Sequence, residues 1–174
     1  MHHPALHSGW NRLRLVNRLL EHYKPVSRVE NSTGGYDDRS PVNLKMAQKS
    51  PPIILLVDDD PLIRVLGQEL LEHLGYRVET AGDGSEALEK FRKMKRVDLV
   101  VLDYCLPGQN GCEVLKGFKI LDKRARVLVA SGFLSSQDMA SLKEEGAQGM
   151  INKPYRLTDL QHRIKAVLAG GSGF

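Results

Sequence analysis

Five short apolar runs, each followed by a stretch of helical period, constrain this chain more than any other feature. The clearest is Leu99-Val100-Val101-Leu102, which stops at Asp103 and leads into the turn-forming residues Pro107, Gly108, Asn110 and Gly111. A run rich in Val and Leu between turn residues suits a strand buried on both faces. The same pattern predicts strands at residues 53–57, 77–80, 98–102, 126–130 and 147–151. Helices are predicted from Pro61 to Leu74 and around Ala87, Leu88 and Phe91. Three more are expected: from Asn110-Gly111 through Val114, Leu115 and Phe118, through Met139 and Leu142, and from Leu157 to Leu168. Pro61 suits a first helical turn, Gly75 and Gly146 suit helix ends, and Ser135, Ser136 and Asp138 suit an N-terminal cap. Five strand–helix units joined by a few residues predict an α/β fold, a parallel sheet with helices on both faces.

Charge divides the chain in two. Of its 174 residues, the first fifty carry eight Lys/Arg against four acids, and the rest carries seventeen of each. The net +4 therefore belongs to the first fifty residues, and the neutral remainder offers no electrostatic case for nucleic acid. Residues 1–50 are read as a basic extension, with a short helix over 10–23 and then a polar linker. Met46 would serve as a translation start. His3 and His7 have i,i+4 spacing but no further ligands near them in sequence. Residues 51–169 form the predicted domain, and the glycine-rich residues 170–174 are expected to fray as a flexible tail.

No apolar run approaches the ~20 residues of a membrane span, and the N-terminus lacks a secretory signal. Two cysteines, Cys105 and Cys112, are too few for a disulfide framework or zinc cluster. The expectation is a cytoplasmic protein with free thiols.

The strand ends carry the chemistry. The first ends in Asp58-Asp59-Asp60, the third in Asp103, the fourth in Ser131 and the fifth in Lys153-Pro154. A parallel arrangement brings these onto one rim, where open α/β sheets place their ligands. Carboxylates roughly 5 Å apart repel by about 3 kcal/mol at an effective dielectric near 20, so the cluster calls for a cation. Carboxylates, a carbonyl and water are what Mg²⁺ prefers. Lys153 supplies a compact positive charge, and Ser131 a hydroxyl donor toward an added anion. Such a set describes a carboxylate that accepts a phosphoryl group.

With these motifs in order, residues 51–169 resemble the receiver domain of two-component response regulators. Val57-Asp58-Asp59 matches the acidic pair, and Asp103-Tyr104-Cys105-Leu106-Pro107 with Gly111 the phosphoacceptor turn. Ser131-Gly132 matches the hydroxyl step and Lys153-Pro154-Tyr155 the lysine turn. The resemblance implies a flavodoxin-like strand order 2-1-3-4-5. It implies Asp103 as phosphoacceptor for a sensor histidine kinase or histidine phosphotransferase. Mg²⁺ would be held by Asp58, Asp59, Asp103 and the backbone carbonyl of Cys105, with Asp60 left as a helix N-cap. Lys153 would contact the phosphoryl group and Ser131 would swing toward it.

Output would be docking to a downstream protein or onward phosphorelay, with a homodimer through the last two helices and fifth strand. A stand-alone receiver and a module related to hybrid kinases both fit. Met150 stands where the family carries an aromatic switch residue, and Cys105 and Phe133 stand where an attacking water is positioned. The alternative is a haloacid-dehalogenase-type phosphohydrolase using Asp58 and Asp60. It has Leu62 out of pattern, no second acidic pair, and no use for Asp103.

Overall fold

The computed structural model describes residues 50–174, so the predicted helix at 10–23 and the linker after it lie outside the described residues. Strand β1 (Ile53–Val57) leads to helix α1 (Pro61–His73), then β2 (Arg77–Ala81) and α2 (Gly84–Lys93). Next come β3 (Leu99–Asp103), two short strands β4 (Cys105–Leu106) and β5 (Gln109–Asn110), and α3 (Gly111–Leu121). The order closes with β6 (Val127–Ser131), α4 (Ser136–Glu144), β7 (Gly149–Asn152) and α5 (Leu157–Leu168). The five long strands form one parallel sheet in the order β2-β1-β3-β6-β7. That is the expected 2-1-3-4-5 arrangement. The antiparallel pair β4–β5, turning at Pro107-Gly108, is the element that strand periodicity missed.

Alternation along the strands sorts the core into two layers. Leu55, Val57, Val100, Leu102, Val127 and Val129 face one side, where Ala87, Val114, Leu115, Phe118 and Leu142 from α2, α3 and α4 cover them. Ile54, Leu56, Leu99, Val101 and Leu128 face the other, under Leu71 of α1 and Leu160, Ile164 and Val167 of α5. Because both faces are dry, these strands read as continuous apolar runs. Each large side chain so buried is worth about 1.5–3 kcal/mol. Phe91 and Phe118 add an edge-to-face contact at 5.1 Å.

Caps set where the helices begin. Asp60 accepts from the Leu62 and Ile63 amides at 2.7 and 3.3 Å, the N-cap role expected of it. Asp83 and Asn110 cap α2 and α3 likewise, and Ser135 with Asp138 forms a reciprocal capping box on α4. Residues 170–174 do not hang free as expected. Gly173 bridges in parallel to Gly149 on the outer edge of β7, because neither glycine carries a side chain to hold the two backbones apart.

Register alone aligns the strand ends. Val57 pairs with Leu102, so Asp58 stands beside Asp103. Asp103 pairs with Ala130, and Ser131 with Asn152, so Ser131 and Lys153 follow one step on. Behind Asp103, Gly111 starts α3 in close contact with the loop: a Cβ there would lie 2.7 Å from Tyr104 Cα and 2.9 Å from its carbonyl oxygen. Backbone cannot yield as a side-chain tip can. Gly111→Ala is therefore expected to destabilise the fold by about 1–3 kcal/mol in urea unfolding. Gly132→Ala, which adds a Cβ into open space, should stay within about 0.5 kcal/mol of wild type.

Candidate functional site

Asp58 leaves the end of β1 nearly buried, at 3% exposure, with Asp103 beside it at 7% and Ser131 fully enclosed. These are the only buried polar or charged residues among those described. Buried carboxylates need partners. Asp58 accepts from the Asp60 amide at 3.0 Å through Oδ1 and from Lys153 Nζ at 2.7 Å through Oδ2. Asp103 accepts from the Cys105 amide at 3.2 Å and from the same Lys153 Nζ at 2.7 Å. One ammonium thus bridges two carboxylates from strands that are neighbours in the sheet. Asp59 stays exposed, yet its carboxylate lies with those of Asp58 and Asp103 so that one oxygen from each falls within 4.8 Å of the others.

The protonation balance follows from burial. Desolvation raises the Asp58 pKa above the ordinary carboxylate value, and Lys153 and the Asp60 amide only partly offset it. For Lys153, burial pulls the pKa down, but its bonds to Asp103 and Asp58 more than reverse that and leave it raised. Both shifts run the same way with pH, because a pKa raised on folding makes stability fall as pH rises. Ionised Asp58 costs stability as pH rises through its raised pKa. Protonated Lys153 contributes stability that is full below its unfolded value and lost as pH climbs through its raised folded value.

Each sequence-predicted residue is on this rim. Ser131 is there, but its hydroxyl donates to the Phe133 carbonyl at 3.0 Å, within its own loop rather than toward Asp103. The Lys153 amide donates to the Ser131 carbonyl at 2.6 Å, which ties the ends of β6 and β7 together. Cys105 is exposed at the start of β4. Asp60 is on the outside of the cluster, committed to capping α1.

Two residues escaped sequence reasoning. Arg64 Nη1 donates to the carbonyls of Asp58 and Asp59 at 2.6 and 2.9 Å and holds the acidic loop from one turn into α1. Nothing marks it in sequence beyond helical spacing from the acids. Tyr104 donates its hydroxyl to Asp138 Oδ1 at 2.9 Å, and Asp138 Oδ2 accepts from the Ser135 amide and hydroxyl. The residue after Asp103 is thereby joined to the first turn of α4, a contact between positions 34 apart that no local pattern encodes.

The chemistry open to this set is narrow. Three clustered carboxylates with one ammonium leave net negative charge and oxygen donors only, a fit for a hard divalent cation. Asp103 presents a buried, positioned carboxylate with a cation on one oxygen, and Ser131 holds a hydroxyl at the end of the neighbouring strand. This suits transient addition of an anionic group.

Similar proteins have been found by sequence and by structure. The family model for the response regulator receiver domain matches residues 54–165. Sporulation initiation phosphotransferase F of Bacillus subtilis is 35% identical over 115 residues, covering 66% of this chain and 92% of that protein. The chain spans only about half the length of most transcriptional regulators it matches, 49% in the case of TrcR of Mycobacterium tuberculosis. Among solved structures, a CheY-like receiver domain protein from Methanospirillum hungatei superposes with a TM-score of 0.67 at 31% identity, covering 70% of this chain and 96% of that one. Response regulator TrrA from Thermotoga maritima, solved with Mg²⁺ and beryllofluoride, gives 0.59 at 34% identity, covering 66% and 96%.

Lys153→Met tests the electrostatic account. It leaves Asp58 and Asp103 buried without a cation. Because Lys153 is 26% exposed, the cost at pH 8 should sit near the low end for breaking a buried pair, about 3 kcal/mol. Urea unfolding should show that cost shrinking as pH falls and the carboxyls protonate.

Proposed function

The chain belongs to the response regulator receiver family and takes part in two-component signalling, and from that premise we propose that Asp103 is its phosphoacceptor. The observation that carries the assignment is the shared Lys153: only Asp103 is at once buried at a strand end, paired with this cation and adjacent to the acidic pair. The phosphohydrolase alternative is overturned. The relatives are response regulators, and Asp60, which that chemistry would require, is spent on the Leu62 and Ile63 amides.

In this reading an Asp103 carboxylate oxygen attacks the phosphorus of a phosphohistidine on a kinase or phosphotransferase. The new O–P bond forms as the P–N bond breaks, and the leaving imidazole keeps the electron pair and takes a proton from solvent. Lys153 stabilises the charge that develops on the phosphoryl oxygens. Mg²⁺, held by Asp58, Asp59, Asp103 and the Cys105 carbonyl, would supply further charge neutralisation there. The Ser131 hydroxyl then exchanges the Phe133 carbonyl for a phosphoryl oxygen. Because Phe133 lies on the loop into α4, that exchange displaces the loop, and the Tyr104–Asp138 bond couples it to the acceptor strand.

The protein acts as a switch rather than a turnover enzyme, with self-phosphorylation and self-dephosphorylation as its only reactions. Output passes to a downstream protein, or to a second copy, at the face of α4, β7 and α5. Met150 occupies that face in place of an aromatic residue, so the loop itself carries the signal. No helix among the described residues is long and apolar enough to cross a membrane, and a cytoplasmic site of action is the natural setting.

Incubation with Mg²⁺ and acetyl phosphate, read by intact mass and peptide mapping, tests the assignment. Wild type should gain one phosphoryl group and Asp103→Asn none; an adduct on another residue contradicts it. Neither Cys105 nor Phe133 can hold an attacking water by a charged or amide group. Cys105→Asn and Phe133→Glu should therefore shorten the lifetime of the same adduct several-fold, and unchanged lifetimes would contradict that role.

A further inference from the structure

The sheet has an open side at β7, its last strand in the order β2-β1-β3-β6-β7. An edge strand presents unpaired amides and carbonyls that invite another strand. Here those groups are engaged by the residues after α5. Met150 N donates to the Gly173 carbonyl at 3.2 Å, and Gly173 N donates to the Gln148 carbonyl at 2.7 Å. The guanidinium of Arg163, on α5, also donates to the Gly173 carbonyl. Lys143, on α4, lies 4.8 Å from the Phe174 ring centroid. Phe174 forms one wall of a cavity of about 470 Å³ shared with Met139, Met150, Tyr155 and Arg163.

The approach is sterically exclusive. A Cβ on Gly149 would lie 2.5 to 2.8 Å from the Cα, carbonyl carbon and oxygen of Gly173, and one on Gly173 would lie 3.2 Å from Gly149 Cα and Val167 Cγ2. Glycine in a strand weakens it unless backbone must come this close. The segment is held by two backbone bonds to the strand, the Arg163 bond and a partly covered Phe174 ring, few contacts beside those of the core strands, so it opens at small cost relative to the fold.

We propose that the outer edge of β7, with the groove between α4 and α5, is a strand-pairing surface for a second copy of this chain, and that residues 172–174 are the removable occupant that keeps it closed. A second copy is the partner that the surface fits. A two-fold axis sets one β7 against the other with Gly149 on each side to permit close approach. The rim carries both signs, Arg163 with Asp159 on α5, so symmetric copies meet opposite charges. The proposal rests on the reading that the α4–β7–α5 face can meet a second copy. It adds that the chain's own segment competes for it.

The test uses the full chain, Gly173→Val, and a version ending after Gly170, with residue-resolved amide exchange and light-scattering mass over a concentration series. In dilute wild type the Met150 amide should be protected and the protein monomeric. At the same dilution, where the variants are also monomeric, that amide should exchange at least tenfold faster in both, and over the concentration series their self-association should strengthen at least tenfold. Equal Met150 exchange in all three overturns the proposal, because the segment would then not hold the edge. Fast exchange with unchanged monomer also overturns it. Wild type loaded with Mg²⁺ and beryllofluoride separates the two readings. If it dimerises while the unstrapped variants do not, the docking face stands and the strap proposal falls.

Discussion

Everything at the rim depends on one ammonium shared between two buried carboxylates. Asp58 and Asp103 come from separate βα units, 45 residues apart in sequence, and the parallel register places them side by side. Without Lys153 the arrangement would hold two negative charges in a site that water barely reaches. With it, the pair is held together but not neutralised, because Asp59 adds a third charge at the mouth. The site is therefore electrostatically incomplete by construction. That residual charge suits a divalent cation, and in the proposed function Lys153 would offset the charge of a phosphoryl group added to Asp103.

The surrounding contacts fit the resting side of the proposed switch. Ser131 is satisfied by its own loop, Tyr104 by the capping box of α4, and the carbonyls of the acidic loop by Arg64. The neutral Ser131 bond is worth about 0.5–1.5 kcal/mol net, and those with the Arg64 and Asp138 charges about 1.5–3 kcal/mol. A phosphoryl group of nearly two negative charges offers Ser131 and Lys153 a stronger acceptor than they now have. In the proposed switch, exchange of one hydroxyl bond at the head of the β6–α4 loop would move what α4 presents without an aromatic residue at Met150.

Much of this was legible in the chain itself. Strand and helix positions followed from dry two-faced strands, which leave unmistakable apolar runs; the first strand and last helix match their expected bounds, and the other strands begin or end one or two residues from theirs. Asp58, Asp59, Asp103, Ser131 and Lys153 stood out because polar residues end runs that otherwise exclude them. Asp60 was separable as a cap because the resemblance assigns the acidic pair to Asp58 and Asp59, and the structure shows it capping α1. What was not legible depends on distance in three dimensions. Arg64 reads as any solvent-facing helical cation until its loop is seen. The Tyr104–Asp138 bond joins two units with no shared period. Gly149 and Gly173 read as weak strand and loose tail until each is seen to make room for the other.

Lys153 occupies the charge position a divalent cation would relieve, and Mg²⁺ titration of unphosphorylated wild type and Lys153→Gln, followed by amide shifts at Asp58, Asp59 and Asp103, tests this most directly. Lys153 and the cation compete for the same carboxylates, so the variant should bind Mg²⁺ several-fold tighter at the same residues. Equal or weaker binding in the variant, or shifts centred elsewhere, would contradict the account.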